Sequence, residues 1–328
     1  MNAFRVRQWF GVIVAMAMLA VPLVVTDRYV LKVLTFVGVN AIVVVGLALL
    51  FGFAGQVSLG HAAFFGVGAY ASAFLTGTLG VPWLGAVALA VVLACVVGWA
   101  VAVPSLRLKG HYLAMATLGF NEIMSVVFVE ARAVTGGNDG LGNIPFPSIG
   151  PLELRSATVL CVLVWVVALA VALAARNITL SRPGRAMRAL HATEPGALAV
   201  GIDVAAVKVR VFALSAGLAG LAGALYAHAV GFISPSTFGL DFSILLMAAV
   251  VLGGRESLLG PLAAMTAFTL LPYSGALLPG IPRAVAETIQ DWVPDLVGLT
   301  VVLTLIVRAR GASFRFATRK QAEEGEDS

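Results

Sequence analysis

Ten stretches of this chain, at 9–26, 31–51, 61–80, 83–103, 111–130, 156–175, 209–231, 242–254, 258–272 and 293–307, are predominantly apolar. Runs of roughly 17–25 such residues cross a hydrocarbon layer of about 30 Å. No water reaches the backbone in that layer, so a crossing segment must bond its own N–H and C=O groups, as a helix does. Composition agrees, since 60% of the 328 residues are hydrophobic and 11% charged, where a soluble domain would be nearer about a quarter charged. Arg5 and Arg7 before an apolar core imitate a secretory leader. That core is long and no cleavage box introduces a soluble domain, so it reads as a retained span. The expected fold is an all-α polytopic membrane protein of about ten transmembrane helices, or eight if 242–272 is a re-entrant pair.

Basic residues then set the expected orientation, because cytoplasmic loops carry the Lys/Arg excess. The N-terminus (Arg5, Arg7), the 104–110 loop (Arg107, Lys109), the 176–210 segment and the tail (Arg308, Arg310, Arg315, Arg319, Lys320) hold fifteen of the 21 Lys and Arg residues. These segments alternate to one side, which puts both termini in the cytoplasm. The loops 131–155, 232–241 and 272–294 fall on the other side and are richer in acids (Asp139, Glu153, Asp241, Glu287 and Asp291, with Asp295 just past the last). The net charge of +5 is therefore a topology signal. A nucleic-acid partner would need a folded basic domain, and none is present. Cys95 and Cys161 lie in apolar spans without metal-ligand spacing and read as small buried residues. Residues 1–307 read as the membrane domain and 308–328, basic and then acidic, as a disordered cytoplasmic tail.

Two segments read as broken membrane elements, 52–70 and 250–265. They share the pattern Gly55-x-x-Ser58-Leu59-Gly60 and Gly254-x-x-Ser257-Leu258-Leu259-Gly260, with Gly253 beside the second. Paired interruptions mark either an internal repeat around a transport path or chance likeness among glycine-rich membrane sequence. In 212–227 a face of Ala213, Gly217, Gly220 and Ala224, with Ala216 and Gly223 beside it, admits another helix to backbone contact. That face serves a translocation core or subunit interface, or ordinary packing within the chain.

The long polar interruption, Arg176 to Arg210, carries six of the basic residues. A short amphipathic stretch is expected from Arg185 to His191. Thr193 is a natural N-cap for a second helix opening Glu194-Pro195, and Gly201 a natural stop. Short surface helices exposing Arg185, Arg188 and Glu194 suit docking of a soluble partner; the alternative is a topogenic loop on anionic lipid headgroups.

The run GRAMRALHATEPGALAVGIDVAAVKVRVFALSAGLAGLAGALYAH (184–228) resembles the cytoplasmic loop and following helix of LivM-type permeases, the membrane subunits of ATP-driven branched-chain amino-acid importers. The resemblance extends in order through 54–75, 111–123, 135–145 (TGGNDGLGNIP) and 233–261. It implies a BtuC/LivHM-like permease bundle with internal broken helices, in a bacterial inner membrane. It also implies a second homologous permease subunit, two ABC ATPase subunits that hold the ATP-Mg, and a periplasmic substrate-binding protein. Residues 184–201 would be the coupling element, carried by Gly184, Arg185, Arg188, Glu194 and Gly201. The family's acidic-Ala-Ala pattern is here Glu194-Pro195-Gly196-Ala197, a departure in the local register. Related permeases move urea, short amides and other amino acids, and sugar permeases share the wider fold. All four lysines follow Leu31, Leu108, Val207 or Arg319, so this sequence has no Gly-Lys pair and no GxxxxGK[ST] phosphate loop. No cofactor is expected on the chain itself.

Polar residues inside apolar spans are the candidates for a translocation path: Gln56, Ser58 and His61 on the first break, with Asn40, Thr117, Asn121 and Glu122. A charged side chain at the bilayer centre costs roughly 2.5–3.5 kcal/mol on insertion scales, so Glu122 should face a cavity or a partner. The turn-rich loop Gly136, Gly137, Asn138 reads as a gate or docking loop, or as a flexible connector. A function of another class, a proton-coupled secondary transporter with Glu122 as the proton carrier, meets the same residues. An intramembrane enzyme is disfavoured, since no nucleophile-base pair or metal constellation is visible.

Overall fold

In the computed structural model, described residues comprise 27–106, 108, 110–149, 152–254 and 257–273, with isolated positions outside that range. The expected spans 9–26 and 293–307, the loop 274–294, the tail 308–328, and Arg107, Lys109, Arg255 and Glu256 lie outside them but for those isolated positions. The chain divides into two units at Leu270/Leu271. The second is described only at a 3-10 turn, Leu271–Tyr273, and those isolated positions.

The first unit is helical throughout its core. In chain order it holds α1 (Arg28–Leu47), α2 (His61–Gly77), α3 (Trp83–Ser105), α4 (His111–Glu130), α5 (Ala157–Leu180), α6 (Arg182–Ala192), α7 (Glu194–Ala199), α8 (Val204–Val230), α9 (Leu240–Gly253) and α10 (Leu259–Leu270). A pair of two-residue antiparallel strands, Ser148–Ile149 and Leu152–Glu153, interrupts the loop before α5. Among the described residues six helical segments are long and apolar enough to cross a membrane, and the shorter α2 and α10 are apolar as well. The eight apolar stretches expected between residues 31 and 272 correspond to these elements.

Their ends differ from the expectation in a physically readable way. α5 continues five residues past Ala175, and α8 begins five residues before Val209. Asp203 caps α8, its Oδ1 accepting the Ala206 N–H at 3.0 Å. The amphipathic stretch expected at 185–191 starts earlier, with Arg182-Pro183-Gly184 forming the first turn of α6, where a proline loses nothing because that N–H is unpaired anyway.

α1 and the π-helical turn Ala48–Phe53 that extends it form the central column, with 83% of its apolar window buried. α8 packs on α1, α2 and α3. The small-residue face anticipated on α8 is occupied within this chain. A Cβ at Gly223 would stand 1.9 Å from the Phe65 carbonyl oxygen, and one at Gly68 on α2 2.0 Å from that of Gly220. On the α3 side, Gly217 faces the Cys95 Sγ and Gly98 faces the Ala216 methyl. Close backbone approach of this kind replaces the hydrophobic drive that helices lack inside a membrane.

Both breaks are present. After Phe53 the chain leaves helical geometry until α2 starts at His61, with Gly55 at φ +71°. Between α9 and α10 the break is at Gly254, φ +96°. Each contains a serine hydroxyl that accepts the N–H of a following glycine, Ser58 from Gly60 at 3.4 Å and Ser257 from Gly260 at 3.1 Å. The parallel in the sequence is thus also a parallel in local geometry. At the second break the arms touch, since a Cβ on Gly260 would lie 1.9 Å from the Gly253 carbonyl oxygen.

Because those obstacles are backbone atoms, a Gly223→Val protein cannot keep the α2–α8 contact. Overpacking costs about 1–3 kcal/mol in ordinary cores, and here the expected outcome is loss of the monodisperse, thermally cooperative species in detergent. Gly231→Ala, on a positive-φ terminus with open space around it, should cost less than Gly223→Val. A Gly223→Val protein that melts like wild type would overturn the packing assignment.

Candidate functional site

The starting problem at the first break is chemical. A helix N-terminus leaves backbone N–H groups without intrahelical partners, and α2 begins inside the bundle, where Ser58 and His61 are fully buried. Its N-cap is Gly60, which has no side chain, and a Cβ there would stand 2.9 Å from the Thr117 carbonyl oxygen. Capping is therefore supplied by other helices. Ser243 on α9 accepts the Ala62 N–H at 2.9 Å, and Asn121 Oδ1 on α4 accepts that of Ala63 at 3.1 Å. Thr117 on α4 accepts the Leu59 N–H at 2.9 Å. His61 bridges Ser58 on Nδ1 at 2.9 Å and Ser215 of α8 on Nε2 at 2.6 Å. A neutral imidazole needs one donor and one acceptor, and two hydroxyls supply both.

This changes the reading of the path candidates. Ser58, His61, Thr117 and Asn121 are buried and bonded to one another's elements. Gln56 gives its Nε2 hydrogen to the Lys208 carbonyl at 3.3 Å, and Asn40 bonds Thr269 of α10 at 3.0 Å. None of the six faces the outside of the bundle. Only Glu122 does, exposed on α4 beside the buried Asn121. Gly55 and Gly60 serve the turn and the close approach at the break, and Gly253 and Gly254 do the same at the second.

The polar segment forms the two short helices expected, α6 and α7. Thr193 caps α7 through the Gly196 N–H at 2.9 Å, and Gly201 ends the segment at φ +78°. Two of the three side chains expected to be exposed are instead tied inward. Arg188 donates from Nη1 to the Thr179 carbonyl at 2.8 Å, at the end of α5, and Glu194 pairs with Lys208 of α8. Arg185 is exposed. Gly184 is buried against the Thr179 carbonyl, where a Cβ would stand 2.2 Å away. Two residues that sequence reasoning did not single out stand outward here, Leu198 on α7 and Val200 just past its end, 61% and 72% exposed.

A cavity of about 350 Å³ lies between this platform and the break, lined by Gly55, Gln56, Ser105, His191, Glu194 and Lys208. Leu106, Leu108, Gly110 and Leu113 border it as well, so the 104–110 loop and the 176–210 segment share one side of the bundle. On the opposite side the glycine loop is held rather than loose. Leu141 and Ile233 exchange two backbone hydrogen bonds at 2.8 and 2.9 Å, and His228 joins Ser72 to the Pro145 carbonyl, each at 2.8 Å. Gly136, Gly137 and Gly140 all take positive φ, and Asn138 and Asp139 sit exposed in a 3-10 turn. Among the described residues no group of His, Cys, Asp or Glu is placed to hold a metal ion.

Sequence reasoning missed Ser215, Ser243 and His228. Each is a polar residue flanked by apolar ones within a largely apolar helix, which is the available signal, because such residues bond across helices. Asn121→Leu, which leaves the Ala63 amide without its acceptor, should lower stability by about 1–3 kcal/mol. Glu122→Gln, one residue on but outward, should leave the melting transition in detergent within error of wild type. Equal melting of both variants would mean that the cap is not what holds α2.

The family model described as branched-chain amino acid transport system / permease component matches residues 29–305. The high-affinity branched-chain amino acid transport system permease protein LivM of Escherichia coli (strain K12) is 30% identical over 324 residues, 91% of this chain and 73% of the relative. LivM of Salmonella typhimurium is 30% identical over 289 residues, 81% of this chain and 65% of the relative. The probable branched-chain amino acid transport permease protein LivM of Methanocaldococcus jannaschii is 26% identical over 180 residues, 52% of this chain and 51% of the relative. No solved structure gives a significant match. An all-α bundle with spanning helices, matched over 29–305 by one family, leaves a single assignment: the chain is a polytopic membrane protein belonging to the branched-chain amino acid transport permease family.

Proposed function

We propose that this chain is a permease subunit of an ATP-driven importer of branched-chain amino acids, and that α6–α7 is its contact with the motor. The observation that carries the reading is an apolar pair, Leu198 and Val200, exposed on a polar segment that is otherwise clamped to the bundle. Two exposed aliphatic side chains on a rigid polar platform suit insertion into a groove of a soluble partner. This sequence has no phosphate-binding loop, so ATP and Mg belong to that partner, a pair of ATPase subunits. A second homologous permease and a periplasmic binding protein complete the assembly, in an inner membrane with both termini cytoplasmic. The permease domain is 1–307 and the tail 308–328.

Force applied at α7 has a short physical route. The Glu194–Lys208 pair ties α7 to the first turns of α8, and Arg188 ties α6 to the end of α5. At the break, Gly55 is so close to His191 that a Cβ would stand 2.9 Å from Nδ1. Ser215 then links α8 through His61 to the start of α2, which α4 and α9 cap. In this reading Arg188 and Glu194 hold the platform's shape and Arg185, Leu198 and Val200 meet the partner. The substrate passes without covalent chemistry in this chain, delivered from the other side, where the Gly136–Asn138 loop faces the binding protein.

The test is Leu198→Asp with Val200→Asp in the assembled importer. Expected is loss of leucine uptake and of binding-protein-stimulated ATP hydrolysis by about tenfold or more, with unchanged amounts of the permease in the membrane. Such losses follow when an apolar anchor is replaced by an unpaired charge. Uptake at the wild-type rate would remove α7 as the motor contact. Uptake that needs a proton gradient and no ATP would remove the importer reading itself.

A further inference from the structure

α4 has two chemically different sides. Leu113, Thr117, Asn121 and Phe128 are buried in the bundle, while Tyr112, Met115, Gly119, Glu122, Ile123 and Val126 lie on the outward side. Only 22% of the apolar window of α4 is buried, less than in any other spanning helix. α3 is nearly as open, but it contains no charged residue and its outward side is aliphatic or aromatic, including Leu89, Val92, Val96 and Trp99. That is a face suited to lipid.

The outward side of α4 is not. A rise of about 1.5 Å per residue puts Glu122 about 16 Å from His111 and about 12 Å from Glu130, well inside the helix. In the other described spanning helices every Asp, Glu, Lys and Arg falls within the first or last two turns. Among the described residues no partner holds the Glu122 carboxylate. Left in lipid it would cost roughly 2.5–3.5 kcal/mol, so this side meets water or protein. Gly119, one turn before Glu122, has nothing within 4 Å of where a Cβ would be. The result is a carboxylate beside an open notch, flanked by Met115 and Val126. A zwitterion with an aliphatic side chain complements that pattern, with its ammonium on the carboxylate and its side chain on the flanking apolar groups.

We infer that the outward side of α4 is the wall of the solute passage, that Glu122 receives the ammonium of the amino-acid solute there, and that the second permease chain closes the passage opposite. The inference rests on the importer reading above. It moves the passage from the first break, where Ser58 and His61 are bonded within the bundle and α4 and α9 cap α2, to the outer surface of the bundle.

The experiment uses the complete importer in proteoliposomes, in a Cys95→Ala, Cys161→Ala background that retains leucine uptake. Single substitutions Met115→Cys, Gly119→Cys and Val126→Cys are compared with Val92→Cys and Val96→Cys on α3. A charged, membrane-impermeant thiol reagent should label the α4 set at least about tenfold faster than the α3 set, and leucine with the binding protein should slow that labelling. Glu122→Gln should reduce leucine uptake by about tenfold or more, the range set by losing a hydrogen bond to a charged group. Glu122→Asp should recover part of it, with equal amounts of assembled complex in both. Unreactive α4 thiols would show the face covered by lipid or by other residues, and uptake by Glu122→Gln within twofold of wild type would show that the carboxylate holds no solute; either overturns the inference. Absence of ATP-dependent uptake in the parent protein would fail the importer reading instead, a separate result.

Discussion

A helix that starts inside an apolar bundle has N–H groups that water cannot reach, and each unpaired one costs several kcal/mol there. This constraint organises the first unit. Gly60 must be a glycine because the Thr117 carbonyl occupies the space of a side chain, and a glycine cannot cap. Thr117 and Asn121 of α4 and Ser243 of α9 therefore have to reach the start of α2, and His61 has to reach Ser215 of α8. Four helices are fixed relative to one another by the need to satisfy a few backbone donors. Apolar packing alone, interchangeable with lipid contact, would not fix them so narrowly.

The same junction stands next to the polar platform. Gly55 abuts His191, and Gln56 bonds the Lys208 carbonyl, so the break is in contact with both α6 and α8. A protein that needed only a positively charged cytoplasmic loop would have no use for the Thr193 cap, the Glu194–Lys208 pair and the Arg188–Thr179 bond together. Those interactions make the segment stiff, and stiffness matters to a lever more than to a tether. Contiguity of this kind is the physical precondition for coupling; the coupling energy itself is measured only by perturbing both ends.

The helical fold was legible in the sequence because length and apolarity are one-dimensional properties of a run. Thr193, Asp203 and Gly201 act locally, and Thr193 and Gly201 were readable for that reason. What was not readable is where a side chain points in three dimensions. Asn121 and Glu122 are neighbours in sequence and were grouped as one candidate path, yet a helix turns about 100° per residue and sends one inward and the other outward. Arg188 and Glu194 look exposed on a polar loop, but their partners, the Thr179 carbonyl and Lys208, lie nine and fourteen residues away in other helices. The small-residue face of α8 named a close contact without naming the partner, which is α2 and α3.

The polar groups of the first unit thus divide by side. At the first break Ser58, His61, Thr117 and the Asn121 Oδ1 are bonded to one another's elements, and a residue whose hydrogen bonds hold the bundle together is badly placed to exchange them with a passing solute. Each exchange would release an α2 amide into an apolar interior. A passage through the break would therefore have to dismantle the fold at every turnover, whereas a passage along α4 would leave the cap intact and need only a second surface to close it. The backbone economy of one helix end is in this sense an argument about where transport occurs. It separates residues that keep α2 in place from the mid-helix carboxylate that, among the described residues, remains uncommitted.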